Sequence, residues 1–213
     1  MTELFVTNFN PNFTGVSATA AGVLRAQVRT VDAALVGHPL PGCPDPMTGR
    51  MAVRTAHKPA GHPFAIWHRR TFPEMRTATW LRDVLRKPAK IVFTSSARRH
   101  HSAIPRRLVA RMDAVIATTE DAAKYVPNVR AVVPHGVDTA RFAPAHTRAA
   151  TWAKPGFGGT RGIARVGRVR PEKGTDMFVD AMIAARHIAV QNCSVTQRAA
   201  GAITVYEDLW AGR

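Results

Sequence analysis

The chain is short of cysteine, of acid and of long apolar runs. Cys43 and Cys193 are the only cysteines in 213 residues, and they lie far apart. Two such residues make no disulfide framework and no zinc-type ligand spacing, so a reduced, cytoplasmic compartment is expected. No apolar stretch approaches the ~20 residues of a membrane-spanning helix. The amino-terminal "MTELFVTNFNPN" has neither a basic leader nor a long apolar segment, which argues against a secretory signal. Acidic residues number 14 against 30 lysines and arginines, a formal charge of +16. Aspartate pairs of the D-x-D kind that hold a metal on a nucleotide are missing too, so no metal is expected.

The positive charge is concentrated. Between Arg69 and Arg111 stand twelve arginines and lysines against Glu74 and Asp83 alone, a local net of +10. An anionic partner fits such a segment: nucleic acid, an anionic membrane surface or an acidic substrate. A solvated arginine-rich surface fits it equally well. A nucleic-acid module would interleave aromatic residues with the cations. Few aromatics, Trp67, Phe72 and Trp80 among them, accompany these cations, so specific nucleic-acid binding is not expected.

The hydrophobic share of 46% is enough for a core, and its arrangement is that of a parallel α/β protein. Strands are expected at 3–9, 32–37, 64–70, 90–95, 113–118 and 129–138. The runs "KIVFTS" and "DAVIAT" lack alternation, as strands covered on both faces do. Helices are expected at 17–29, with Ser17 as cap, at 73–87, and over a short stretch within 118–126. In the second of these, Met75, Ala78, Leu81, Val84 and Leu85 share a face. Residues 38–49 read as a Pro/Gly-rich loop. Three units follow: an amino-terminal domain at 1–144, a linker at 145–161 rich in Gly, Ala and Thr, and a partial second domain at 162–213. From about residue 186 the texture becomes atypical, with one more short strand near "AITVY".

Ligands of open parallel sheets sit beyond the carboxyl ends of the strands. Four junctions there carry chemistry. Gly15 follows the first strand and opens a helix, whose amino end favours an anion, although most such glycines serve only a turn. "TSSARRHHS" (94–102) gathers Arg98, Arg99, His100 and His101, two permanent cations and two groups titrating near neutrality, or else forms a solvated basic turn. "VVPHGVDTARFAP" (132–144) holds His135, Gly136 and Asp138, where a structural turn is the simpler alternative. "GRVRPEKG" (167–174) presents Arg168 and Lys173 toward a helix start, an arrangement suited to a pyrophosphate, or to an exposed basic turn.

Taken in order, "HGVDTARFAP" (135–144) and "GRVRPEKG" (167–174) resemble the motifs of family 4 glycosyltransferases of GT-B architecture. "WHRR", "LRDVLRKPAKIVFTSSARRHHS" and "RMDAVIATT" are similar to the lipopolysaccharide core mannosyltransferases of alphaproteobacteria, over residues 1–185 or so. That resemblance implies a Rossmann-like amino-terminal domain and the first strand and helix of a second. It implies a retaining hexosyltransferase that moves mannose from GDP-mannose, with no bound cofactor, to an inner-core glycolipid bearing the acidic sugar Kdo. It also implies a peripheral position at the cytoplasmic face of the inner membrane. Arg168, Lys173 and Gly15 become donor-pyrophosphate contacts, and Arg98, Arg99, His100 and His101 face the acceptor; no catalytic residue is assigned. The family's E-x7-E segment has no counterpart, since Glu207 is the only glutamate after Lys173. The donor domain is therefore expected to be truncated and transfer by the chain weak or absent. A catalytically dead binder of the acceptor lipid or of an anionic surface is the alternative.

Overall fold

The computed structural model describes residues 1–144, 146–147 and 194–212. Six strands form one sheet: β1 (Leu4–Asn8), β2 (Ala33–Gly37), β3 (Ala65–Arg69), β4 (Ala89–Ser95), β5 (Ala114–Ala117) and β6 (Val129–Val132). All neighbours are parallel, in the order β2-β1-β3-β4-β5-β6. Parallel pairing requires crossovers, and helices supply them. They are α1 (Gly15–Gln27), α2 (Gly49–Thr55), α3 (Phe72–Asp83), α4 (Ala103–Val109), α5 (Glu120–Ala123) and, at the carboxyl end, α6 (Val195–Trp210).

Alternation along the strands divides the core. Leu4, Val6, Leu35, Ile66, Val92 and Ile116 project to one face, where Ala20, Ala21 and Leu24 of α1 and Ala202, Val205, Tyr206 and Leu209 of α6 cover them. Phe5, Val36 and Trp67 project to the other, against Ala52 of α2 and Leu81 of α3. Ile91, Phe93 and Val115 continue that second face under Met75, Ala78 and Val109. The strands expected from unbroken apolar runs are thus sandwiched between helical layers.

Several boundaries differ from expectation for identifiable reasons. Thr14, not Ser17, caps α1, its hydroxyl accepting from the Ser17 amide at 3.4 Å. Ser17 is buried within the first turn and donates to Asn8 Oδ1 at 3.4 Å. Helix α3 stops at Asp83, and Arg86 follows with φ of 51°. Met75, Ala78 and Leu81 are buried as the periodicity predicts, but Val84 and Leu85, beyond the helix end, are exposed. Helix α2 begins where a loop was expected, and the strand expected near "AITVY" is the middle of α6. The expected linker and most of the expected second domain lie outside the described residues. The part of that segment that is described, 194–212, belongs to the helical layer on the first sheet.

Candidate functional site

Strand β1 has β2 on one side and β3 on the other, so chain direction across the sheet reverses between β1 and β3. The crevice outside the carboxyl ends of these strands is where such sheets bind ligands. Glu74, buried in the first turn of α3, holds that crevice open in a fixed shape. Its carboxylate accepts from the amides of Arg70 (2.9 Å), Thr71 (3.0 Å) and Phe9 (3.2 Å), tying the end of β3 to the end of β1.

Beyond the strand ends lies a cleft of about 580 Å3. Each strand from β1 to β6, with the single exception of the edge strand β2, delivers a residue to it: Gly15 after β1, Arg70 after β3, Thr94 and Arg98 from β4 and its loop, Thr118 after β5, and His135 after β6. Helix α6 adds Arg198. Among the described residues, no side chain lining the cleft is acidic. A Cβ built on Gly15 would meet nothing within 4 Å among the described residues, so their packing leaves space at the amino end of α1.

The two arginines at the end of β3 point opposite ways because strand side chains alternate. Arg69 is fully buried with Trp67 on the far face, its guanidinium 4.6 Å from the Trp67 ring centre and 5.9 Å from that of Phe9. Burial pushes its pKa down to about 9, still charged at neutrality. Arg70 turns into the cleft, and its Nε, Nη1 and Nη2 are buried with no hydrogen-bond partner among the described residues. Arg198 is buried beside it and donates from Nη1 to the Val133 carbonyl at 2.9 Å. Its pKa falls to about 10, first through burial and then through the charge of Arg70.

A buried polar chain leads from the core to the cleft rim. Gln27 Nε2 donates to the Tyr206 hydroxyl at 3.1 Å, Tyr206 meets His68 Nδ1, and His68 Nε2 lies 2.6 Å from Thr94 Oγ1. Because the Tyr206 oxygen accepts from Gln27, its own proton is free to go to His68 Nδ1. In the tautomer that lets Tyr206 donate to Nδ1, the His68 proton sits on Nε2 and is directed at Thr94. Burial, reinforced by Arg70, Arg198 and Arg69, pushes the His68 pKa well below the usual histidine range, so the ring is neutral. Tyr206 is pushed up to about 12, chiefly by burial, and stays a neutral phenol.

The expected site residues divide. Gly15, Arg98 and His135 line the cleft. His100 and His101 stand edge-on to Tyr125 and Phe72, with ring centres 5.1 Å apart in each case, and do not line it; nor does Arg99. Gly136 serves the fold: a Cβ there would stand 2.6 Å from Ser194 backbone atoms, where the chain pairs with Val137. Asp138 accepts from the Arg141 amide at 3.0 Å and lies 3.8 Å from Arg25. Arg168 and Lys173 lie outside the described residues. Sequence reading passed over Arg70, Arg198 and Glu74 as site residues, although the rule of strand carboxyl ends, applied to "WHRR", points at Arg70. Among the described residues no three His, Cys, Asp or Glu are grouped to hold a metal. None of their helices is long and apolar enough to cross a membrane.

This is a Rossmann-like α/β unit with a cationic cleft at its switch point, and solved structures of the same fold exist. Anabaena Alr3699/HepE in complex with UDP-glucose matches 71% of this chain and 49% of its own, with TM-score 0.54 and 10% identity. Its complex with UDP and glucose matches 73% and 50%, with TM-score 0.55. In sequence, the chain is similar to known transferases. It is 38% identical over 186 residues to the lipopolysaccharide core biosynthesis mannosyltransferase LpsB of Rhizobium meliloti (strain 1021). It is 36% identical over 182 residues to the lipopolysaccharide core biosynthesis mannosyltransferase LpcC of Rhizobium leguminosarum bv. viciae. These alignments cover 85% of the chain, which spans about half the length (52%) of each relative. No protein-family profile matches the chain. Over most of its length, then, the chain resembles proteins named lipopolysaccharide core mannosyltransferases, the resemblance that the motifs implied.

Proposed function

We propose that the chain serves mannosyl transfer from GDP-mannose to an acidic, Kdo-containing glycolipid acceptor, with retention at the anomeric carbon. One observation carries this reading: the cleft at the switch point, holding Arg70, Arg98 and Arg198 and no acid among the described residues, in a chain similar to core mannosyltransferases. In the proposed reaction the bond from the anomeric carbon to the diphosphate breaks. The glycosidic bond forms to an acceptor hydroxyl, which gives up its proton, and GDP departs with the bonding electrons. Cations placed at the departing diphosphate lower the barrier by stabilising the charge that develops there. Arg168 and Lys173 are the proposed donor contacts, with Gly15 at the approach. HepE, solved with UDP-glucose, supports a nucleotide sugar as the donor class. The reading uses no bound cofactor, and places the protein peripherally on an anionic cytoplasmic leaflet, where its charge is complementary.

Transfer of radiolabelled mannose from GDP-mannose to a Kdo-terminated lipid A acceptor tests the proposal. Label in the lipid phase, dependent on the acceptor's Kdo, supports it. Acceptor binding without label incorporation instead supports a protein that holds the acceptor and transfers nothing. Neither binding nor incorporation ends the transferase reading.

A further inference from the structure

We infer that Arg70 and Arg198, with the amino end of α1, form a subsite for an oxyanion, a phosphate or a carboxylate. The inference deepens the transferase reading and rests on it for the choice of cleft. Its strongest support is Arg70. A charge removed from water is retained only where something compensates it. All three guanidinium nitrogens of Arg70 are buried and face no acceptor among the described residues. The carboxylate whose charge acts on it, Glu74, already spends its oxygens on three backbone amides. The fork of Arg70 therefore offers a set of donors aimed at the cleft, with a geometry that matches two oxygens of one anion.

Three further features converge on the same space. Arg198 is a second buried cation, carried on a different element and satisfied by one carbonyl. Two unpaired cations side by side raise each other's energy, and an anion between them removes that cost. The first turn of α1 has helix amides without intrahelical acceptors, over the open space at Gly15. Thr94, Ser96 and Thr118 line the cleft with hydroxyls. His68 Nε2 lies 2.6 Å from Thr94 Oγ1, which ties that hydroxyl to the buried polar chain at the cleft's rim.

A phosphate would come from the donor and a carboxylate from an acidic acceptor sugar. Calorimetric titration of the 213-residue chain at low salt with inorganic pyrophosphate, with Kdo monosaccharide and with mannose separates these sources. Saturable binding of at least one anion, and none of mannose, is expected. Arg70→Gln and Arg198→Gln should each weaken that binding at least tenfold, while Arg54→Gln, on exposed α2, leaves it unchanged. Tighter pyrophosphate binding assigns the subsite to the donor, and tighter Kdo binding assigns it to the acceptor. Removing an unpaired buried cation should leave Tm unchanged or raised, and a Tm match certifies that lost binding is not lost folding. If Arg70→Gln fails to fold, Arg198→Gln and an Arg70→Lys variant, which keeps charge but not the fork, carry the comparison. Absence of saturable binding in the folded chain overturns the subsite, as does equal weakening by Arg54→Gln. Mannose transfer measured on the same samples separates failure of the subsite from failure of the transferase reading: transfer without oxyanion binding sinks the first and spares the second.

Discussion

At the scale of single residues, the core of this protein holds more ionisable side chains than its size suggests, and each has a distinct solution. Glu74 is compensated by hydrogen bonds from three amides. Glu74→Gln should lower stability by about 1.5–3 kcal/mol, the range for hydrogen bonds to a charged group, read in a urea melt. His68 is compensated by neutrality. Its folded pKa lies well below 6.5, whereas the unfolded ring titrates near 6.5. Between those values the unfolded state binds the proton and the folded state does not, so stability must fall as pH drops below 6.5, by up to about 1.4 kcal/mol per pH unit for one such group. His135, lowered chiefly by burial, adds in the same direction. Urea melts at pH 7, 6 and 5 on His68→Gln should show a shallower loss than the parent chain. An unchanged slope would place the titration elsewhere. Arg69 has no hydrogen-bond partner among the described residues and rests on the rings of Trp67 and Phe9, with the charge of Glu74 acting on it as well. Ring faces offer about 2 kcal/mol to a desolvated cation, against a burial cost of several kcal/mol. Arg69→Met, of similar length and apolar, should raise Tm, and a lower Tm would show that the two rings suffice.

At the scale of elements, the strands were legible because apolar runs buried on both faces leave an unbroken signature. Helix α6 was not, although its pattern is present in the sequence: Arg198, Ala199, Ala202, Val205, Tyr206 and Leu209 are buried at helical spacing behind the Ser194 cap. The β-branched "AITVY" in its middle suggests a strand when read alone, and the packing against α1 and β6 decides otherwise. The site was legible in kind and not in detail. Cations at strand ends were evident, but choosing Arg70 over Arg69 requires the sheet's faces, and finding Arg198 requires knowing where α6 docks. Gly136 makes that docking testable. A Cβ 2.6 Å from the Ser194 backbone forces the start of α6 away. Gly136→Ala should cost about 1–3 kcal/mol, as other over-packing changes do. The loss should be local, with faster amide hydrogen exchange across 195–210 and near-parent protection in β1, β3 and β4. Uniform loosening would mean that the helix and the sheet unfold as one unit.

At the scale of the whole molecule, a charge of +16 acts at a distance that salt controls. The ion pairs of the basic segment engage Arg82, Lys90 and Arg111 with Asp83 and Asp113, and its other cations have no carboxylate at ion-pair distance among the described residues. On α4, exposed Arg106 and Arg107 follow within a turn of Ile104, which is 79% exposed. An exposed apolar residue close to two cations suits an anionic lipid surface, where each nearby cation contributes about 1 kcal/mol. The proposed peripheral position therefore predicts co-sedimentation with phosphatidylglycerol-containing vesicles and little with phosphatidylcholine alone. Raising ionic strength from 0.15 M to 1 M shortens the screening length from about 8 Å to about 3 Å and should release the protein. Arg106→Glu with Arg107→Glu reverses two charges and should weaken vesicle binding more than tenfold, while pyrophosphate and Kdo titrations stay near the parent values because neither residue lines the cleft. Binding that persists at 1 M salt would assign the attachment to Ile104 and its apolar neighbours instead of to charge, and binding unaffected by the double reversal would move the lipid contact off α4.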